Sequence, residues 1–359
     1  MPRTDKNKPI KPFTFISLET IIRSFENILE SLCGSIPKAL ISESWYQKMA
    51  FLARQFPSDI SQAVIFESLL SSSEPKTDWT FVIDQKKLPE LIQNTAYPPY
   101  DNLFNYPHWQ SLRKLFQHLS GDKLASKYTD YTWLEFDIFQ DMPGIPQPLI
   151  YVHITEGFYQ EQNQSLAWVD PLLSVLADDN VSEDIRENIH FCFDQLFNDL
   201  QLDYIGYMPN RQKDLFRLCV SGLTVEEAYE YLWRLDLGGL VNELKAMIKD
   251  FPDYFDCFRL HVDVGKTFAP KVGLEHYFCD RFNDQEKWLP ALDYLDEHFP
   301  VDKGKTKSLR YFWKKYRTFL IQEYFNYTTF RYVHHVKLVY EQDKEPLIKG
   351  YFGYTHLPI

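Results

Sequence analysis

Phe258-Arg259-Leu260-His261-Val262-Asp263-Val264 alternates apolar and polar residues without a break. Successive strand residues point to opposite faces. Phe258, Leu260, Val262 and Val264 therefore share one side of a sheet, and Arg259, His261 and Asp263 share the other. A loop containing Pro270 leads to a second such run, 271–278, where Val272, Leu274 and Phe278 oppose Lys271, Glu275 and Tyr277. The short connection predicts an antiparallel hairpin.

Working outward, four more pairs of strand-like runs with short connections follow: 63–70 with 78–84, 131–140 with 149–155, 203–208 with 215–221, and 332–340 with 347–356. Leu134, Phe136 and Ile138 oppose Glu135 and Asp137. Ile150, Val152 and Ile154 oppose Tyr151 and His153. Phe216, Leu218 and Val220 oppose Arg217 and Cys219. Val336 and Leu338 oppose His335 and Lys337, and Ile348 and Phe352 oppose Lys349 and Tyr351.

Apolar residues at three- and four-residue spacing predict helices ahead of each pair: 17–32 and 42–56, 87–93 and 108–119, 171–177 and 182–200, 224–236 and 240–251, 285–299 and 308–325. The order helix, helix, strand, strand thus runs five times. No linker or shift of composition divides the chain, so we expect an N-terminal extension over 1–16 and one domain over 17–359. The expected class is α+β: ten antiparallel strands ringed by helices, closed into a barrel because closure removes exposed edges. A ten-stranded barrel is wide enough for its lumen to be a chamber.

Amphipathic helices would cover the apolar faces and leave the polar faces lining the lumen. One such strand suits an ordinary sheet with a wet face equally well. Seven strands whose polar sides mix charges with aromatics and histidines favour a chamber.

Composition narrows the partners. The chain has 359 residues, 45% hydrophobic and 25% charged, enough for a large core. A net charge of -12 without a dense basic cluster makes nucleic acid and anionic membrane poor partners. No apolar run approaches the ~20 residues of a membrane span, and no signal peptide is evident at the start. Five cysteines, never spaced CxxC, argue against a disulfide framework or zinc site and fit a cytoplasmic location.

Several motifs mislead. Gly265-Lys266-Thr267 and Gly304-Lys305-Thr306 lack the earlier glycine that lets a Walker loop wrap a phosphate; Leu260 and Phe299 stand there. Asp178-Asp179-Asn180-Val181-Ser182-Glu183 is off by one from the aspartate-rich motif of helical terpenoid enzymes, and it precedes a helix, where acids belong. His334 and His335, as strand neighbours, are expected to point apart.

The fivefold architecture with a polar lining resembles the ABBA, or PT-barrel, prenyltransferases over nearly the whole chain. Lys349-Gly350-Tyr351 is similar to the Lys-x-Tyr pairs that grip diphosphate in that family. Phe66-Glu67-Ser68 is similar to the Glu-x-Ser neighbourhood of the general base in its indole-type members. The resemblance implies transfer of a prenyl group from an allylic diphosphate to an aromatic acceptor, either a small indole or phenol or a residue of a peptide, in natural-product biosynthesis. Such chemistry needs cations on the leaving group, aromatic faces around the allylic cation and a carboxylate for the acceptor's proton.

On that reading the diphosphate would lie among Arg217, Arg259, Lys271, Lys337 and Lys349, with Tyr277 and Tyr351 as hydroxyl donors. Trp133 and Tyr151 would shield the cation, and Glu67 or Glu135 would be the base. The acids on the same faces leave three options open. They pair with the cations, or Asp137 and Asp263 hold Mg²⁺, or the chamber binds a cationic or peptide substrate, with different chemistry or none.

Overall fold

The computed structural model describes residues 29, 36–56, 60–61, 63–93, 106–139, 141, 144–160, 162–211, 214–248, 251–278, 285–313 and 327–358. Ten strands run in chain order: β1 Ala63–Leu69, β2 Thr77–Asp84, β3 Tyr131–Phe136, β4 Leu149–His153, β5 Gln201–Tyr207, β6 Phe216–Ser221, β7 Cys257–Val264, β8 Phe268–Tyr277, β9 Tyr327–Glu341 and β10 Leu347–Pro358. Each pairs antiparallel with its neighbours in sequence, and β1 pairs with β10, so the sheet is a closed barrel. All ten expected strands are present.

The alternation decides what lies inside. Leu134, Phe136, Leu218, Leu260 and Val262 are buried against the helices. Phe56, from the helix Glu43–Ala53 and its following turn, meets Trp79, Phe81, Trp109 and Phe136 there in tilted and edge-on contacts. The lumen carries a separate small apolar set that includes Val82, Tyr131, Tyr151, Tyr204 and Met208.

Helix starts follow their caps. Ser42 accepts from the Trp45 N–H, and Thr224 and Glu227 form a reciprocal capping box. Three helix boundaries differ most from expectation, and among the strands the one expected over 131–140 ends at Phe136 and the one expected from 332 begins at Tyr327. The helix expected over 171–177 begins at Gln162 and carries Pro171 inside it, because Trp168, Val169, Leu172, Leu173 and Leu176 continue one buried stripe through the proline. The helix expected from 182 to 200 ends at Asp194. The last helix starts at Lys303, where Asp302 accepts from the Lys305 N–H at 2.9 Å. Two short helices, Lys123–Tyr128 and Gly157–Gln160, had no periodicity long enough to show. The expected extension over 1–16, the expected helix over 17–32 apart from Leu29, and residues 314–325 of the last one lie outside the described residues.

The rejected motifs have structural roles. Lys305 is buried, and its Nζ donates to the Leu69 carbonyl at 2.8 Å and the Glu74 carbonyl at 2.5 Å, tying the last helix to the β1–β2 turn. Asp178 and Asp179 take left-handed φ of 50° and 62° in a turn after the helix Gln162–Leu176. Cys257 is disulfide-bonded, against the expectation from spacing; proximity in the fold decides pairing, and Cys192 and Cys219 are free and buried. Among the described residues no helix is long and apolar enough to cross a membrane.

Candidate active site

The hairpin turns all lie at one end of the barrel, and the connections to helices lie at the other. A cavity of about 800 Å³ occupies the helix-connection end. It is lined by Tyr131 and Trp133 of β3, Tyr151 and His153 of β4, Asp203 and Tyr204 of β5, Arg259 and His261 of β7, Glu275 and Tyr277 of β8, His334, His335 and Lys337 of β9, and Tyr351 of β10. Asp130, Glu156, Asp199 and Asp256 border it. The size suits a small organic ligand.

One carboxylate organises its wall. Glu275 Oε2 accepts from Tyr277 and lies 3.3 Å from Arg259 Nη1, while Oε1 lies 3.3 Å from Lys337 Nζ, 2.8 Å from His261 Nε2 and 3.5 Å from His335 Nε2. Burial would raise the Glu275 carboxyl, but the donors around it, His261, His335 and Lys337, hold it well below the usual range. Burial, assisted by the Lys337 charge, pushes His261 down to about 3, and burial lowers His335 as well. Burial also lowers Lys337 to about 8, against the pull of Glu275. Arg259 is further clamped by Asp203 at 2.8 Å and 3.0 Å. Gly273 makes room for this cluster: a Cβ there would sit 2.7 Å from Lys337 Cε.

Ion pairs fill the hairpin end. Arg217 grips Asp263 with bonds of 2.6 and 2.9 Å. Arg211, from the β5–β6 turn, reaches Glu135 at 2.5 Å and Asp137 at 2.6 Å. Lys349 donates to Glu67 Oε1 and Tyr351 to Oε2. Burial would raise Glu67, yet Lys349 and Arg211 bring it down to about 2. Asp78, directly across from Glu67 on β2, goes the other way: burial, then the Glu67 and Asp137 charges, push it up to about 7.

The expected site residues therefore divide. Trp133, Glu135, Tyr151, Arg259, Tyr277, Lys337 and Tyr351 line the cavity. Glu67, Arg217, Lys349, Asp137 and Asp263 are in the hairpin-end pairs and are not among its lining residues. Lys271 is half-exposed, 3.9 Å from Glu341, and also outside the lining. Of the five cations expected to converge, Arg259 and Lys337 line the cavity and the other three do not, although Lys349 stands directly across from Lys337 in the β9–β10 pair. The Mg²⁺ expectation does not fit either. Asp137 and Asp263 are each held by an arginine, and among the described residues no three His, Cys, Asp or Glu side chains converge as metal ligands.

Bulges supply what alternation could not. The partners of Tyr351 and Phe352 are His335 and Val333, so His334 is an extra residue in β9. Both histidines consequently line the cavity, Nδ1 to Nδ1 at 2.6 Å, rather than pointing apart. A similar shift at Asp203 puts it and Tyr204 on the lining together. His153, His261 and His335 were on predicted lining faces, and their alternation was the signal. Arg211 had none, because a turn residue has no face until the turn folds.

No family model and no curated protein matches the sequence. Solved structures do match. Prenyltransferase PriB in its apo form aligns over 93% of this chain and 96% of that chain, at 10% identity and a TM-score of 0.51. AnaPT from Neosartorya fischeri aligns over 91% and 90%, at 13% identity and a TM-score of 0.53. 5-Dimethylallyltryptophan synthase from Streptomyces coelicolor aligns over 91% and 94%, at 12% identity and a TM-score of 0.51. The chain has the PT-barrel fold of these prenyltransferase structures.

Proposed function

We propose that the chamber transfers a prenyl group from an allylic diphosphate to an aromatic acceptor, a small indole or phenol or a residue of a peptide. The observation that carries this reading is the meeting, in one cavity of the barrel, of aromatic walls with convergent donors. Tyr131, Trp133, Tyr151, Tyr204, Tyr277 and Tyr351 supply the rings; Arg259, Lys337 and Tyr277 supply the donors. A departing diphosphate needs charge-assisted hydrogen bonds in a dry site. An allylic cation needs electron-rich ring faces that exclude water.

In this reading the diphosphate binds beside Glu275 and competes with it for Arg259 and Lys337. Its negative charge would also draw protons onto His261 and His335, which burial keeps neutral without it. Donor binding is thus coupled to proton uptake.

A second reading has its own support. Arg259 and Lys337 are already engaged by carboxylates, and acids outnumber bases around the cavity. A chamber with that balance suits a cationic or peptide ligand. Calorimetric titration with dimethylallyl and geranyl diphosphate, followed by incubation with indole, L-tryptophan, phenol and tyrosine-containing peptides, separates the readings. Binding with transfer supports the first. Absence of diphosphate binding supports the second, and binding without transfer to any acceptor supports a barrel that only binds.

A further inference from the structure

We propose that His153, oriented by Asp130, is the base that removes the acceptor's proton; this rests on the prenyl-transfer reading. The pairing of Thr132 with Val152 places the start of β3 beside the end of β4. His153 consequently stacks on the Tyr131 ring, with centroids 4.2 Å apart and planes 11° apart, and lies 5.1 Å from the Tyr204 ring. Its Nδ1 is 2.6 Å from Asp130 Oδ1. A neutral imidazole that donates its Nδ1 proton to a carboxylate carries its lone pair on Nε2. Among the described residues nothing bonds Nε2, and the ring lines the cavity at its wet end, 18% exposed.

The bases deeper in the chamber are occupied, and Glu156, Asp199 and Asp256, which border it, are exposed to solvent. Both oxygens of Glu67 accept from Lys349 and Tyr351, outside the cavity lining. Glu135 is held by Arg211, and Arg259 binds both Asp203 and Glu275. The His261 Nδ1 faces Lys337 Nζ at 2.8 Å.

The step balances without a further reactant. The allylic C–O bond breaks, and its electron pair leaves on the diphosphate. A pair from the acceptor's ring carbon forms the new C–C bond. Nε2 takes the proton from that carbon, the C–H pair restores aromaticity, and the imidazolium, stabilised by Asp130, passes the proton to water. Asp130 is a positioning residue: it fixes the tautomer and touches no reacting atom.

The test uses the full chain with dimethylallyl diphosphate and the acceptors above, comparing wild type, His153→Gln, Asp130→Asn and Asp130→Glu. In His153→Gln, affinity for non-ionising dimethylallyl thiolodiphosphate should stay within about twofold while transfer falls roughly 10²–10⁴-fold. Dimethylallyl alcohol should appear as water captures the cation. Asp130→Asn should lower turnover without changing KM, and acceptor deuterated at the attacked carbon should now show a primary isotope effect. Asp130→Glu should recover part of the rate. Transfer at wild-type rate in folded His153→Gln overturns the proposal, as does unchanged turnover in Asp130→Asn should His153→Gln fail to fold. If wild type itself transfers to no acceptor, the prenyl-transfer reading falls and the assignment with it.

Discussion

Buried Glu67 on β1 and partly buried Lys349 on β10 form an ion pair across the seam where the first and last strands close the barrel. Removing one partner of such a pair leaves a stranded charge. Lys349→Met should therefore cost about 2–4 kcal/mol, while Glu67→Gln combined with Lys349→Met should recover most of it, as read by urea denaturation. The sign with pH follows from the depressed Glu67 carboxyl. Its contribution is present above the unfolded value of 4.5 and is lost as pH falls through about 2. Equal stability of wild type and Lys349→Met would refute the seam's role.

Gly206 faces the lumen beneath Tyr151. A Cβ there would meet the Tyr151 ring at 2.5 and 2.6 Å and Arg217 Cβ at 3.4 Å. The ring is rigid and packed, so Gly206→Ala should destabilise by about 1–3 kcal/mol and displace Tyr151 into the cavity. Thermal melting and ligand affinity should worsen together; an unperturbed melt would show that the wall yields.

Three groups set the mid-range pH slope. Unfolded His261 and His276 protonate near 6.5, but both are held at about 3 in the fold. Each removes stability as pH falls below 6.5. Asp78 has the opposite sign: it protonates at about 7 in the fold and 3.8 unfolded, so it removes stability as pH rises through that interval. Between roughly pH 4 and 6.5 these three groups leave the unfolded chain one more proton than the fold, a difference that the raised Glu135 carboxyl opposes. Stability should rise by about 1.4 kcal/mol per pH unit, and lowered His335 steepens this. Asp78→Asn, which keeps an acceptor for the Ile138 N–H, should add about one further proton to the slope and stabilise at neutral pH by about 1–2 kcal/mol. Denaturation series across this range measure both effects.

The division of the cations into those that line the cavity and those that do not predicts a contrast in binding. Inorganic pyrophosphate should lose roughly ten- to a hundredfold affinity on Arg259→Ala or Lys337→Ala, since charge-assisted bonds are worth about 1.5–3 kcal/mol. Lys271→Ala should change it less than threefold. Affinity should also weaken from pH 6 to 8, as the protons that the bound anion draws onto His261 and His335 are lost from the complex. Titration calorimetry in two buffers of different ionisation heat reads the proton uptake directly. A pH-independent affinity would contradict the coupling.

Much of the architecture was legible without coordinates. The alternation in Phe258 to Val264 and its six counterparts is local, because adjacent strand residues must point apart wherever the strand packs. It placed Arg259, His261, Glu275, Tyr277 and Lys337 on the inner face correctly. Pro171 misled for a local reason too: its preference for a first helical turn is weaker than the buried stripe running past it.

What alternation cannot carry is position along the barrel axis and any break in its own period. Both are set by register between strands, which joins residues tens of positions apart and, at the β1–β10 seam, hundreds. Arg217 and Arg259 are equivalent in pattern, yet pairing with Asp263 keeps one at the hairpin end, while Asp203 and Glu275 hold the other at the cavity. The extra residue at His334 turns two expected opposites into neighbours, and Arg211 enters the lumen from a turn. The sequence by itself determined the strands, their inner faces and the fivefold barrel, because those follow from residue spacing. Only the tertiary structure decided which charges neutralise one another and which line the cavity, because Coulombic pairing depends on distances that the closed barrel alone sets.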